Sequence, residues 1–154
     1  MVIFWSYNIF MNNLQKIALV ALRVAMGWMF FWAGITKVLD PSWTSAGYLG
    51  GAKAFNGLFE FLSSPNILPI VDFLNQWGLT LLGVSLILGV FVSISAPLGA
   101  LLMVLYYLPL GFPQPNTHAY IVDEHVVYFV ALIILMVFNA GNSWSIGRLI
   151  RSRS

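Results

Sequence analysis

Four apolar runs dominate the chain, at about 14–39, 69–95, 96–110 and 124–139. A helix needs roughly 20 mostly apolar residues to cross a bilayer. The first two runs reach that length. The third, at roughly 15 residues, has to stand upright or be shielded by its neighbours. Asp40-Pro41, Ser95-Ala96-Pro97 and the stretch 109–115 interrupt the pattern. The short break at Ser95-Ala96-Pro97 predicts an antiparallel hairpin, with Ser95 as a cap and Pro97 in the first helical turn. Only 8% of the residues are charged, against roughly 25% in a soluble domain. That excludes a soluble globule, and the apolar content excludes disorder. The expectation is an all-α integral membrane protein, a bundle of four transmembrane helices.

The segment between the first two runs has its own pattern. Tyr48, Ala52, Phe55, Phe59 and Leu62 recur at steps of four and three, and Lys53, Asn56, Glu60 and Ser63 follow on an adjacent face. This predicts an amphipathic surface helix over about 46–64, too polar on one side to span. Gly50, Gly51 and Gly57 work against its regularity. The domain organisation expected is an N-terminal interfacial extension at 1–13, one membrane domain at 14–147 and a basic tail at 148–154. Residues 1–10 lack the basic start and small-residue cleavage site of a signal peptide, and Met11 is an alternative start.

Basic residues favour the cytoplasmic side. Lys16, Arg148, Arg151 and Arg153 flank one side of a four-span chain, while Lys37, Lys53 and all five acidic residues fall on the other. Both termini are therefore expected in the cytoplasm, with the chain in the plasma membrane. Trp43, Trp77, Tyr106, Tyr107, Tyr120 and Trp144 stand near span ends, as interfacial anchors do. With seven basic residues spread along the chain there is no patch for nucleic acid.

Ionisable groups inside a bilayer are costly and mark candidate sites. Arg23, Gly27, Phe30, Gly34 and Lys37 share one helical stripe, which faces partner helices; Trp28, Phe31, Trp32 and Ile35 lie on other faces. Arg23 and Lys37 either bind an anionic or quinone-type ligand or snorkel to opposite interfaces. Ser85, Gly89 and Ser93 form a small-residue ridge for helix packing. Asp72, Asn75 and Gln76 read as an interfacial cap or a polar site.

The fourth run opens Asp123-Glu124-His125, with His125, Tyr128, Leu132 and Asn139 on one face. A histidine beside two carboxylates can carry protons, and the same pattern can be an acidic helix start. His118 reads as solvated. No ligand spacing demands a metal, and the absence of cysteine excludes cysteine-held clusters and thiol relays. No intrinsic cofactor is expected. Walker, dinucleotide and nucleophile-elbow motifs are absent from the sequence.

The pieces resemble, in order, the DoxX/DoxD family of membrane proteins. Leu22-Arg23 with Gly27, Phe31, Gly34 and Lys37 looks like the family's first span. Asp40-Pro41-Ser42-Trp43 and Ala46-Gly47-Tyr48-Leu49 look like its first outer segment, Leu82-Gly83 to Leu88-Gly89 like its second span, and Asp123-Glu124-His125, Tyr128 and Ala140-Gly141 like its fourth. Where the family has Ala-Gly-Arg and then Gly-Leu-Asp, this chain has Asn142 after Ala140-Gly141 and then Ser145-Ile146-Gly147. The resemblance implies four helices and, in one branch, the membrane subunit of a thiosulfate:quinone oxidoreductase.

On that reading His125 and Glu124 exchange protons at a quinone carbonyl, and Lys37, with Lys53 as a second candidate, draws an oxyanion. Arg23, Asp40, Trp32, Asp123 and Tyr128 complete the ligand site, with Trp28 beside them. Electrons pass directly between bound substrates or through a partner's cofactor. The alternatives are a non-catalytic scaffold that docks a second membrane or peripheral subunit, or another copy of itself, and a small-solute transporter. Without paired inverted repeats the transporter is the weakest of these.

Overall fold

The computed structural model describes residues 12–111 and 120–142, and its regular elements are all helical among them. Helix α1 spans Asn13–Val38, α2 Ala46–Gly50, α3 Asn56–Leu62, α4 Leu68–Leu88, α5 Val92–Tyr107 and α6 Glu124–Val137. Short 3-10 turns follow α5, at Leu108–Leu110, and α6, at Ala140–Asn142. Three helical stretches are long and apolar enough to cross a membrane: Asn13–Val38, Leu68–Leu88 and Val92–Leu110. Helix α6 is apolar but shorter, at 14 residues. Most of the expected extension at 1–13, His118, Trp144 and the tail at 148–154 lie outside the described residues.

Helix α1 begins at a reciprocal cap. The Asn12 side chain accepts from the Gln15 amide at 2.9 Å, and the Asn12 amide donates to Gln15 Oε1 at 2.9 Å. Two otherwise orphaned donors are thereby satisfied. The stripe expected to face inward does so: Arg23, Gly27, Phe30 and Gly34 are buried, whereas Trp28 and Trp32 are each 57% exposed. The two indoles stack on the outer face, 6.0 Å between centroids.

Glycine decides the main helix pairing. A Cβ at Gly27 would lie 2.8 Å from the Ile87 amide nitrogen of α4. One at Gly34 would run into Thr80, and one at Gly83 into the Phe31 backbone. Helices α1 and α4 therefore touch main chain to main chain, the approach that small residues permit within membranes. Helices α5 and α6 close the bundle. Gly99 of α5 lies under the Phe30 ring of α1 and the Leu132 side chain of α6. Phe30, Leu79, Leu86, Ala96, Leu132 and Leu135 form the centre of the core.

Two local expectations give way. The hairpin break falls at 89–91 rather than at Ser95-Ala96-Pro97. Gly89 adopts φ 70°, the left-handed conformation that closes helices. Its amide bonds Leu86 O, and the Val90 amide bonds Ser85 O at 3.1 Å, which completes a Schellman end. Pro97 lies inside α5, not in its first turn. It forfeits one early bond, which a helix held by neighbours tolerates. Ser85, Gly89 and Ser93 are thus divided between two helices and their turn. Gly83 and Thr80 make the close approach instead.

The single amphipathic helix at 46–64 is two short helices. Residues 51–55 do not continue either one, and Phe55 takes a left-handed φ of 55° before α3. Of the expected apolar stripe only Phe59 is buried; Ala52 and Leu62 are half-buried, Tyr48 and Phe55 are exposed, and the second buried residue is Leu49, which lies off that stripe. Adjacent Gly50 and Gly51 weaken the helix where it stops. The segment is pinned from two sides. Asp72 of α4 accepts from the Ser45 amide at 2.8 Å and from its hydroxyl, and the Lys53 amide donates to Pro109 O at 2.7 Å.

Candidate functional site

The pinned segment roofs a cavity of about 360 Å³. Its walls come from the C-terminal end of α1, the start of α4, the end of α5 and the start of α6. Apolar side chains predominate, among them Leu49, Phe59, Val71, Leu102 and Leu105. Lys37, His125, Tyr48, Tyr106 and Asn75 supply the polar lining. A mostly apolar hollow with a few placed polar groups is the usual form of a small-molecule site.

Helix α6 places its histidine through its own cap. Asp123 stands one residue before the helix, and its Oδ1 accepts from the Val126 amide at 3.2 Å. Its Oδ2 meets His125 Nδ1 at 2.7 Å. One carboxylate therefore fixes both the helix start and the imidazole. With Nδ1 committed to Asp123, Nε2 is the ring nitrogen left for a ligand. Asp123 is only 8% exposed, so solvent screens the pair weakly.

The tyrosines are held in sequence. The Tyr48 hydroxyl donates to the Tyr106 backbone carbonyl, and the Tyr106 hydroxyl donates to Asn75 Oδ1. Asn75 Nδ2 in turn donates to Val71 O at 3.0 Å. The Tyr106 ring stands perpendicular to the His125 ring at 6.0 Å, and the Tyr48 ring meets it edge-on at 6.2 Å. Burial pushes the Tyr48 phenol up to about 12, and the charge on Asp123 adds to the shift. Tyr48 thus remains a neutral hydroxyl at physiological pH. Lys37 is half-buried in the last turn of α1, with Nζ 5.3 Å from the centre of the Trp43 ring.

The residues singled out by sequence separate into groups. Lys37 and His125 line the cavity, and Asp123 holds His125. Glu124, expected to serve His125, is exposed in the first turn of α6, and the neighbouring Asp123 takes that place. Asp40 is exposed and turned onto Ser42, whose hydroxyl and amide hold its carboxyl below the usual range. Trp32 is on the outer face of α1. Tyr128 packs against the core one turn below His125 and is not part of the cavity lining.

Arg23 belongs to the other end of the bundle. It is 14 residues before Lys37, about 21 Å along the helix. It is 2% exposed, and its Nη1 donates to Ala140 O at 2.6 Å. Among the described residues no group of three metal-ligating side chains converges.

Tyr48, Asn75, Tyr106 and Trp43 emerge only in three dimensions. Tyr106 and Trp43 read as interfacial anchors, and Asn75 as a cap. The signal for Tyr48 was its place on the apolar stripe of 46–64.

A family model described as DoxX matches residues 18–112, more than half of the chain. No curated protein and no solved structure matches.

Proposed function

The chain belongs to the DoxX family of membrane proteins, and from that premise we propose that it is the quinone-binding membrane subunit of an oxidoreductase. Four spans are proposed, with α6 and the turn after it as the fourth. Both termini then lie in the cytoplasm, and the cavity lies at the outer face of the plasma membrane.

The observation that carries this reading is the Asp123–His125 pair at an apolar cavity inside a membrane bundle. A quinone ring needs apolar walls, and its carbonyls need a proton donor as electrons arrive. His125 is the group that hands over the proton, and Asp123 keeps the ring in place. Reducing a quinone to a quinol takes two electrons and two protons. The resemblance to thiosulfate:quinone oxidoreductases suggests the source: two thiosulfates joining as tetrathionate release two electrons. Lys37 draws the negatively charged partner toward the cavity. A second subunit carrying its own cofactor is the other route for the electrons, since this chain has no cysteine to hold a cluster.

The test is direct. The purified protein, alone and with whatever co-purifies in mild detergent, is titrated with 1,4-naphthoquinone and assayed for thiosulfate-dependent quinone reduction. Saturable binding supports the reading. Absence of both binding and reduction removes it, and leaves the scaffold as the better account.

A further inference from the structure

The cavity carries an imbalance of charge. Lys37 and His125 line it, and no carboxylate does. Two carboxylates stand behind its wall and both are committed, Asp123 to His125 at 2.7 Å and to the α6 cap, and Asp72 to the amide and hydroxyl of Ser45. Among the described residues Lys37 has no ion-pair partner, and its one contact with a charge-seeking group is the face of Trp43. The carbonyl end of α1 offers about half a unit of negative charge and offsets the ammonium only in part. A half-buried cation in such a place is costly unless something completes it.

The remaining polar groups narrow what that something is. The hydroxyls of Tyr48 and Tyr106 already donate to Tyr106 O and Asn75 Oδ1. The lining offers a ligand a cation at Lys37 and a ring nitrogen at His125 Nε2. Trp43, Tyr48, Phe59 and Tyr106 give the hollow aromatic walls. At about 360 Å³ it is larger than an inorganic oxyanion needs. We infer that the cavity selects a planar ring ligand that carries one ionised oxygen, held by Lys37, with a second ring oxygen at His125. This rests on the quinone reading and sharpens it. The preferred ligand is an acidic hydroxyquinone rather than a neutral quinone.

Calorimetric titration of the full-length protein in detergent tests this with two compounds. These are 1,4-naphthoquinone, which is neutral, and 2-hydroxy-1,4-naphthoquinone, which is ionised at neutral pH. The wild type should bind the hydroxy compound about tenfold more tightly. Lys37→Met, which keeps the apolar stem, should abolish that preference, and Lys37→Arg should retain it. Equal affinity in the wild type, or a preference that survives Lys37→Met, overturns the inference and leaves the quinone reading standing. Failure of the wild type to bind either compound overturns both. Decanoate is the competitor: if it displaces the hydroxy compound at equal concentration, the site takes a lipid-type carboxylate and the ring requirement is wrong. The wild-type comparison needs no variant to fold, and elution volume and thermal unfolding check the two Lys37 variants.

Discussion

Arg23 and Lys37 lie on the same stripe of the same helix, and their surroundings have little in common. Arg23 is sealed at 2% exposure and bonded to the backbone carbonyl of Ala140, so it clamps the chain leaving α6 onto α1. Lys37 borders a cavity and rests on an indole, with no carboxylate on it among the described residues. One end of the bundle is closed by its own hydrogen bonds. The other is left with capacity for a ligand. A charge inside a membrane helix marks a site only when the fold has not already satisfied it.

The contrast can be broken first at the seam that holds both ends in register. Gly83→Val puts a branched side chain against the Phe31 backbone, which cannot move aside. Thermal unfolding in detergent should show a loss of about 3 kcal/mol or a failure to fold. Arg23→Met comes next. It leaves Ala140 O without this donor and should cost about 2 kcal/mol in the same measurement, while quinone affinity per folded molecule stays unchanged. A variant as stable as the wild type would mean that Arg23 is no clamp.

Asp123→Asn acts at the other end. An asparagine still caps α6, so stability should fall by no more than about 1 kcal/mol. The charge-assisted bond to His125 is lost, and naphthoquinone binding should weaken about fivefold. The smallest effect concerns Tyr48. Its phenol is pushed up to about 12, above the ordinary value near 10. The folded state therefore holds this proton more tightly than the unfolded state does. The resulting stability is present in full below about pH 10 and is lost as pH rises toward 12. Tyr48→Phe should flatten the stability profile across that window, and denaturation at stepped alkaline pH would record it.

Much of this was legible in the sequence because the bilayer imposes strong rules. Apolar length gave the long helices, and the spacing of Arg23, Gly27, Phe30 and Gly34 gave the buried face of α1. Other features were hidden for physical reasons. Proline looked like the breaker at 95–97, yet Gly89 could take a left-handed conformation, which Pro97 cannot. The 46–64 periodicity placed Phe59 inward but missed Leu49, because a single helical phase does not hold once the helix stops between Gly50 and Asn56. Glu124 and Asp123 are equivalent to a reader of charge. Only the cap geometry, with Asp123 outside the helix and turned back along it, decides which one reaches His125. Tyr48 and Tyr106 are 58 residues apart, and no local pattern joins them.

The central claim is that the ligand site lies at the His125 end, inside the bundle, and not on the tryptophan face of α1. The measurement is the affinity for 1,4-naphthoquinone of His125→Ala and Trp32→Phe beside the wild type, on protein of matched elution and unfolding temperature. The account predicts that His125→Ala weakens binding at least about tenfold and that Trp32→Phe leaves it unchanged. Binding untouched by His125→Ala, or lost in Trp32→Phe, contradicts it.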